Sequence, residues 1–515
     1  MKSPCNITIL IFLRVEKQNP HNLYLSAIFF LGGTCMDKLL TLSGTKIAAM
    51  IREGKITSRK AVETHIEHAK KINPWINAIV ADRYDQALDE ADAADAFLKE
   101  NGPENCPPFH GVPCSIKECF SLTGMPHTSG LVARKGIIEK KDATAAARMR
   151  RAGLIPIGVT NISELCMWME SHNKVYGTTN NCYDLGRIVG GSSGGEGCIV
   201  SSGASPFGLG SDVGGSIRMP AFFNGVFGHK PTGGAVPNTG QIPLAHGRVA
   251  FYCTTGPLCR KAEDLMPLLK IMAGPDGKDP ECTAMDFGDP ASVDFSRLNV
   301  LSVPENGAVR VHHELVIAQK KAADALEKLG ASVKHCTVNK LKWSFAIWSS
   351  MLNHHQTEEF GEQLGQGKRI PVFWELFKWA LRASDHTLPA LALALGERIP
   401  MPTEKFIKMG RELRRELIEL IGPDGVMLYP SYSKPAPRHL EPLMLLDNFV
   451  YTAIINVMGF PSTQVPLGLS KKGLPVGVQV VGTPGNDHKT IAVAMELEKS
   501  LGGWVVPKLA EKVNP

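Results

Sequence analysis

The chain has 515 residues, 43% of them hydrophobic and 21% charged, which is the balance of a folded globular protein and excludes a disordered or fibrous one. A net charge of +6 is small for this length, and no Lys/Arg run is dense enough for a nucleic-acid footprint, so nucleic acid is not an expected partner. Twelve cysteines form no CxxC pair and 16 histidines show no HExxH spacing, so neither a metal nor an organic cofactor is expected.

Residues 1–36 form an apolar N-terminal segment in two pieces, 7–13 and 23–36, separated by a polar stretch with Pro20. Neither piece reaches the ~20 residues of a membrane-spanning helix, so the expectation is a membrane-surface anchor. Met36 offers an alternative start. Residues 37–515 form the main folded part, which length alone allows to be one large domain or two to four.

Within that part, Thr57 or Ser58 caps a helix with Val62, Ile66 and Ala69 on one stripe, predicted to end at Asn73-Pro74. A short strand follows over 76–80, then an Ala- and acid-rich surface helix over 84–98. Cys114, Ser115 and Ile116 form a strand that ends on Lys117. A helix over 142–151 precedes a buried strand over 154–159. This alternation predicts an α/β layer architecture. Residues 186–234 are rich in glycine and small side chains, as in a backbone packed closely against itself and a substrate. Further on, 374–399 interleaves Phe377, Trp379 and Leu381 with Lys378, Arg382 and Arg398, and Pro389 breaks it into two helices. Strands over 426–429 and 474–481 and a helix over 489–501 complete the pattern. The cysteines mostly sit in apolar company (Cys166, Cys198, Cys253), as reduced, buried thiols of a cytosolic face do.

Nucleophilic cleavage of an amide needs a hydroxyl with an adjacent base, donors for the oxyanion and a proton for the leaving amine. Three segments hold these parts: Gly111 to Glu118 with Lys117, Gly190 to Gly197 with Ser192, and Asp212 to Arg218 with Ser216. Gly214 and Gly215 allow backbone N–H groups to converge beside Ser216. A lysine buried after an apolar strand can be a neutral amine near pH 7, and Ser192 can relay to it the proton of Ser216. Gly191 to Gly195 also fits G-x-S-x-G, which would make Ser193 the nucleophile with a later acid and histidine. That alternative leaves Lys117 and Ser216 unexplained.

The pieces GVPCSIKECF, TNISELCMWMES, GGSSGGEGC, GSDVGGSIRMPAFFNG, FGHKP, VMLYP and LPVGVQVVG resemble the amidase signature family, and within it the fatty-acid amide hydrolases. The likeness runs from about Leu42 onward, with the signature core at about 110–235. It implies an α/β fold: a single large domain whose twisted, mixed central β-sheet is covered by helices on both sides. It implies Ser216 as the acylated nucleophile, Ser192 as the bridging serine after a cis peptide, and Lys117 as the base. It further implies an oxyanion hole from the amides of Val213, Gly214, Gly215 and Ser216, and an acyl pocket lined by Cys166, Met167 and Met169. The implied reaction is hydrolysis of long-chain fatty-acid amides (N-acylethanolamines and primary fatty amides) to acid and amine, without a cofactor. The implied partners are the lipid amide, a membrane surface met by the 374–399 hairpin, and a second copy in a homodimer. The active site would face the cytoplasm or the surface of a lipid droplet or the endoplasmic reticulum. Two other readings stay open, the amidase subunit of a glutamyl-tRNA amidotransferase and a non-catalytic membrane-binding amidase-like protein.

Overall fold

The computed structural model describes residues 36–355, 358–397 and 403–513. The apolar pieces ahead of Met36, and Arg398 and Ile399 of the hairpin, lie outside the described residues. Thirteen strands are present in them: β1 (Ile79–Asp82), β2 (Val112–Lys117), β3 (Leu154–Thr160), β4 (His172–Asn173), β5 (Gly177–Thr178), β6 (Phe207–Asp212), β7 (Phe227–Lys230), β8 (Thr254–Cys259), β9 (Asn299–Ser302), β10 (Ser332–His335), β11 (Gly425–Tyr429), β12 (Ser462–Leu469) and β13 (Pro475–Gly482). Eleven join one mixed sheet in the order β1-β3-β2-β6-β8-β7-β12-β13-β11-β9-β10, while β4 and β5 form a separate ribbon. Helices flank this sheet, so the described residues form one α/β domain.

β2, β3 and β6 are buried along their whole length, and β2 runs parallel to both neighbours. Strands covered on both faces read as continuous apolar runs, which is why β2 and β3 are visible in the sequence. Ser115 pairs with Gly208 and Ile116 with Leu209. The carboxyl ends of β2 and β6 therefore lie side by side, and the residues that follow them share one edge of the sheet. Open α/β sheets place their ligand crevices at such edges.

Six N-terminal-half helices matter here: α1 (Gly44–Arg52), α2 (Ser58–Ile76), α3 (Tyr84–Asn101), α4 (Thr144–Arg151), α5 (Gly194–Ser201) and α6 (Arg218–Phe223). Thr57 caps α2, its Oγ1 accepting from the Lys60 amide at 3.0 Å. The expected stop at Asn73-Pro74 is corrected: α2 runs through Pro74 to Ile76, and β1 begins only at Ile79. The proline removes one donor but the helix turn around it persists. Asn77 then turns left-handed at φ 50°, and the Asn73 side chain accepts from the amides of Ala78 and Ile79, both at 2.8 Å. α5 packs directly on β2 and β6. A Cβ on Gly208 would stand 1.6 Å from Glu196 Oε2, so glycine there sets the helix-to-strand distance.

The 374–399 segment forms two short helices, Val372–Ala380 and Leu388–Gly396. Among the described residues no helix is long and apolar enough to cross a membrane.

Candidate active site

Lys117 ends β2 and is fully buried. Its Nζ lies 2.7 Å from Ser192 Oγ and 2.8 Å from Ser211 Oγ. Ser192 follows a cis Gly191-Ser192 peptide, and α5 starts two residues later. Ser211 is a partner that the sequence does not announce. It lies on β6, two residues past Leu209, which pairs with Ile116 of β2, and a serine inside a Gly-rich strand carries no cue to which face it takes.

Ser216 lies in the turn between β6 and α6 and lines one cavity together with Ser192 and Ser211. Its carbonyl accepts from the Ser193 amide at 3.2 Å, which joins the two serine segments. Its Oγ bonds to no other described residue. Ser193 itself is fully buried with its Oγ on the Ser211 carbonyl (3.3 Å), away from the cavity wall, a placement that does not suit the nucleophile of the G-x-S-x-G alternative.

Asp212 organises the turn. Its carboxylate accepts from the amides of Gly215 (2.6 Å) and Ile217 (3.1 Å) and from Arg218 Nε and Nη2, both at 3.0 Å. Burial works to raise this carboxyl, but the Arg218 guanidinium against it holds it well below the usual carboxylate range. Arg218 is pinned in turn by Gln479 (2.9 Å) and Asn456 (2.6 Å). Gly215 has φ +119°, and a Cβ there would stand 2.1 Å from Thr452 Oγ1. The expected oxyanion hole drew on four amides. The Gly215 amide is committed to Asp212, whereas those of Val213, Gly214 and Ser216 donate to no described residue. The Val213 carbonyl accepts from Trp348 Nε1 (3.1 Å) and the Gly214 carbonyl from Thr452 Oγ1 (2.9 Å), which fixes the peptide planes.

Val213, Cys166 and Met167 lie in the cavity wall, with Leu165, Leu352 and Phe360. Met169 does not. It is buried in the core, its sulfur 3.9 Å from the Tyr432 hydroxyl. Leu165 and Cys166 both have positive φ, 50° and 59°, without a glycine to signal it.

Three buried cysteine thiols act on the charge of Lys117. Burial works against its ammonium form, but negative charge on Cys119, Cys166 and Cys253 favours it, and the balance holds Lys117 above its ordinary value. Burial also raises Cys119 far up and Cys253 to about 11. Cys166 is pulled down to about 6, first by its hydrogen bond with Cys119, against burial, and then by Lys117 itself. Burial alone therefore does not set the charge of Lys117: the three thiols outweigh it and favour the ammonium form. Glu196 is buried and accepts from Ser115 (2.6 Å) and Thr160 (2.8 Å), and burial lifts it to about 7.

A family model described as Amidase matches residues 60–491. Fatty-acid amide hydrolase 2 of Homo sapiens is 47% identical over 491 residues, covering 92% of this chain and 91% of that protein. Fatty-acid amide hydrolase 2-B of Danio rerio is 46% identical over 488 residues, with the same two coverages. Among solved structures, 6-aminohexanoate cyclic dimer hydrolase complexed with substrate superposes with a TM-score of 0.75 at 26% identity, covering 92% of this chain and 99% of that one.

Proposed function

We propose that this chain, which belongs to the amidase family, hydrolyses long-chain fatty-acid amides, both N-acylethanolamines and primary fatty amides, through an acyl-Ser216 intermediate. The observation that carries the reading is a fully buried Lys117 Nζ 2.7 Å from Ser192 Oγ, in a cavity that Ser192 shares with Ser216. In its amine form, Lys117 takes the proton that Ser192 receives from Ser216 as the latter attacks the carbonyl carbon. The amides of Val213, Gly214 and Ser216 are the donors for the oxyanion. The relay then runs backwards: the Lys117 ammonium returns the proton through Ser192 to the departing nitrogen. Water, deprotonated by the same relay, releases the acid.

The fatty-acid substrate is supported by the relatives named fatty-acid amide hydrolase 2 and by the apolar wall of Leu165, Met167, Val213, Leu352 and Phe360. The amidase component of an amidotransferase would act on a small polar side chain, which such a wall does not suit. The membrane reading draws on the helix Val372–Ala380. Its Phe373, Trp374 and Phe377 are exposed at 67%, 58% and 53%, with the Trp374 and Phe377 rings stacked 5.3 Å apart. The chain then works at a membrane surface facing the cytoplasm or a lipid droplet.

The test is hydrolysis of acyl amides from short to long chain. Activity should rise with chain length in the wild type and be lost in Ser216→Ala. Activity retained in Ser216→Ala would refute the nucleophile, and a preference for the shortest chains would refute the substrate class.

A further inference from the structure

Gln241 lines the cavity that Ser192 and Ser216 share. Its backbone is tied to the end of the catalytic strand: Gln241 bridges to Phe120, and the Ile242 amide donates to the Cys119 carbonyl at 2.9 Å. The side chain is 4% exposed. Its Nε2 donates to Cys253 Sγ at 3.4 Å, and Cys253 lines the same cavity beside Val213. Its Oε1 has no hydrogen-bond partner at all among the described residues. Buried carbonyl oxygens without a donor are rare, and one in the wall of a reaction cavity asks for a donor from a ligand.

An amide has two polar atoms to satisfy. Its oxygen suits the amides of Val213, Gly214 and Ser216. Its N–H needs an acceptor, and the nearby hydroxyls of Ser192 and Ser211 are already engaged by Lys117. We propose that Gln241 Oε1 accepts the N–H of the scissile amide, so that Gln241 selects amides bearing an N–H over esters and holds the nitrogen for protonation through Ser192. The inference rests on the amidase reading of this cavity and assigns the atom that reads the leaving group. Cys253, by holding Nε2, sets which end of the carboxamide stays free. In the opposite orientation Nε2 would be free to donate to a carbonyl oxygen, which an amide and an ester share.

The experiment compares kcat/KM for a long-chain primary amide and the methyl ester of the same acid, in the wild type, Gln241→Met and Gln241→Glu. Methionine keeps the length and removes the acceptor. The amide-to-ester ratio should fall about tenfold in Gln241→Met, the worth of one hydrogen bond in the transition state. Glutamate keeps an acceptor oxygen and should retain the ratio. The ratio is insensitive to a general loss of folded protein. An unchanged ratio in Gln241→Met, or a ratio lost equally in Gln241→Glu, overturns the inference while wild-type amidase activity stands. A wild type that cleaves neither substrate overturns the amidase reading and this inference with it.

Discussion

Lys117 has two kinds of neighbour, hydroxyls that it can exchange protons with and thiols that set how tightly it holds its own. Ser192 and Ser211 are within 2.8 Å, and the thiols of Cys119, Cys166 and Cys253 favour the ammonium form against burial. The relay needs the amine, so activity must rise with pH through the Lys117 titration. Replacing Cys166 by serine removes one of the thiols that favour the ammonium form and leaves desolvation, which lowers a lysine pKa, less opposed. The rising limb of the kcat/KM profile should therefore move to lower pH in Cys166→Ser. A limb that stays or moves up would show that the thiol does not govern the base. This coupling was not legible in the sequence, because Lys117, Cys119, Cys166 and Cys253 come from separate segments that only the fold gathers. Lys117 itself was legible, as the polar end of a wholly buried strand. Met169 was not: the resemblance put it on the acyl pocket, and the wall takes Met167 while Met169 fills the core against Tyr432.

Among elements, the turn from β6 to α6 is the most constrained. Gly215 stands at φ +119° with Thr452 Oγ1 where a Cβ would go, and its amide is bound by Asp212. Gly215→Ala should destabilise the fold by about 1–3 kcal/mol through backbone strain alone, and should lower kcat as the Val213 and Gly214 peptides rotate. Thermal unfolding and steady-state kinetics check both, and a fully active, fully stable Gly215→Ala would contradict the account of the turn. The helix Val372–Ala380 makes a different prediction. Trp374→Ser with Phe377→Ser should weaken co-sedimentation with anionic vesicles about tenfold or more, since each substitution removes apolar area from the membrane face. Unchanged binding would refute the surface role. Sequence patterning located these two helices, β2, β3, β11 and β13, because their apolar runs are long or sharply bounded. It missed β8, whose Thr-Thr-Gly-Pro start reads as a turn, and the ends of α2 and β1, where Asn73 caps with its side chain what Pro74 seemed to interrupt.

At the scale of the molecule, the decisive feature is the parallel pairing of β2 with β6. It puts Lys117 and the segment 212–216 at one edge of an eleven-stranded sheet, and Ser192, two residues ahead of α5, lies 2.7 Å from Lys117 and shares a cavity with Ser216. Each part is fixed by a different layer of the same core, so the proposed relay depends on the fold as a whole. Its most direct test is fluorophosphonate labelling with peptide mass spectrometry across pH in wild type and Lys117→Ala. The account predicts a single label on Ser216, at a rate that rises with pH in the wild type and falls on the order of 10²–10⁴-fold in Lys117→Ala with the pH dependence lost. Labelling of Lys117→Ala at the wild-type rate, or a label on Ser193 instead, would contradict it.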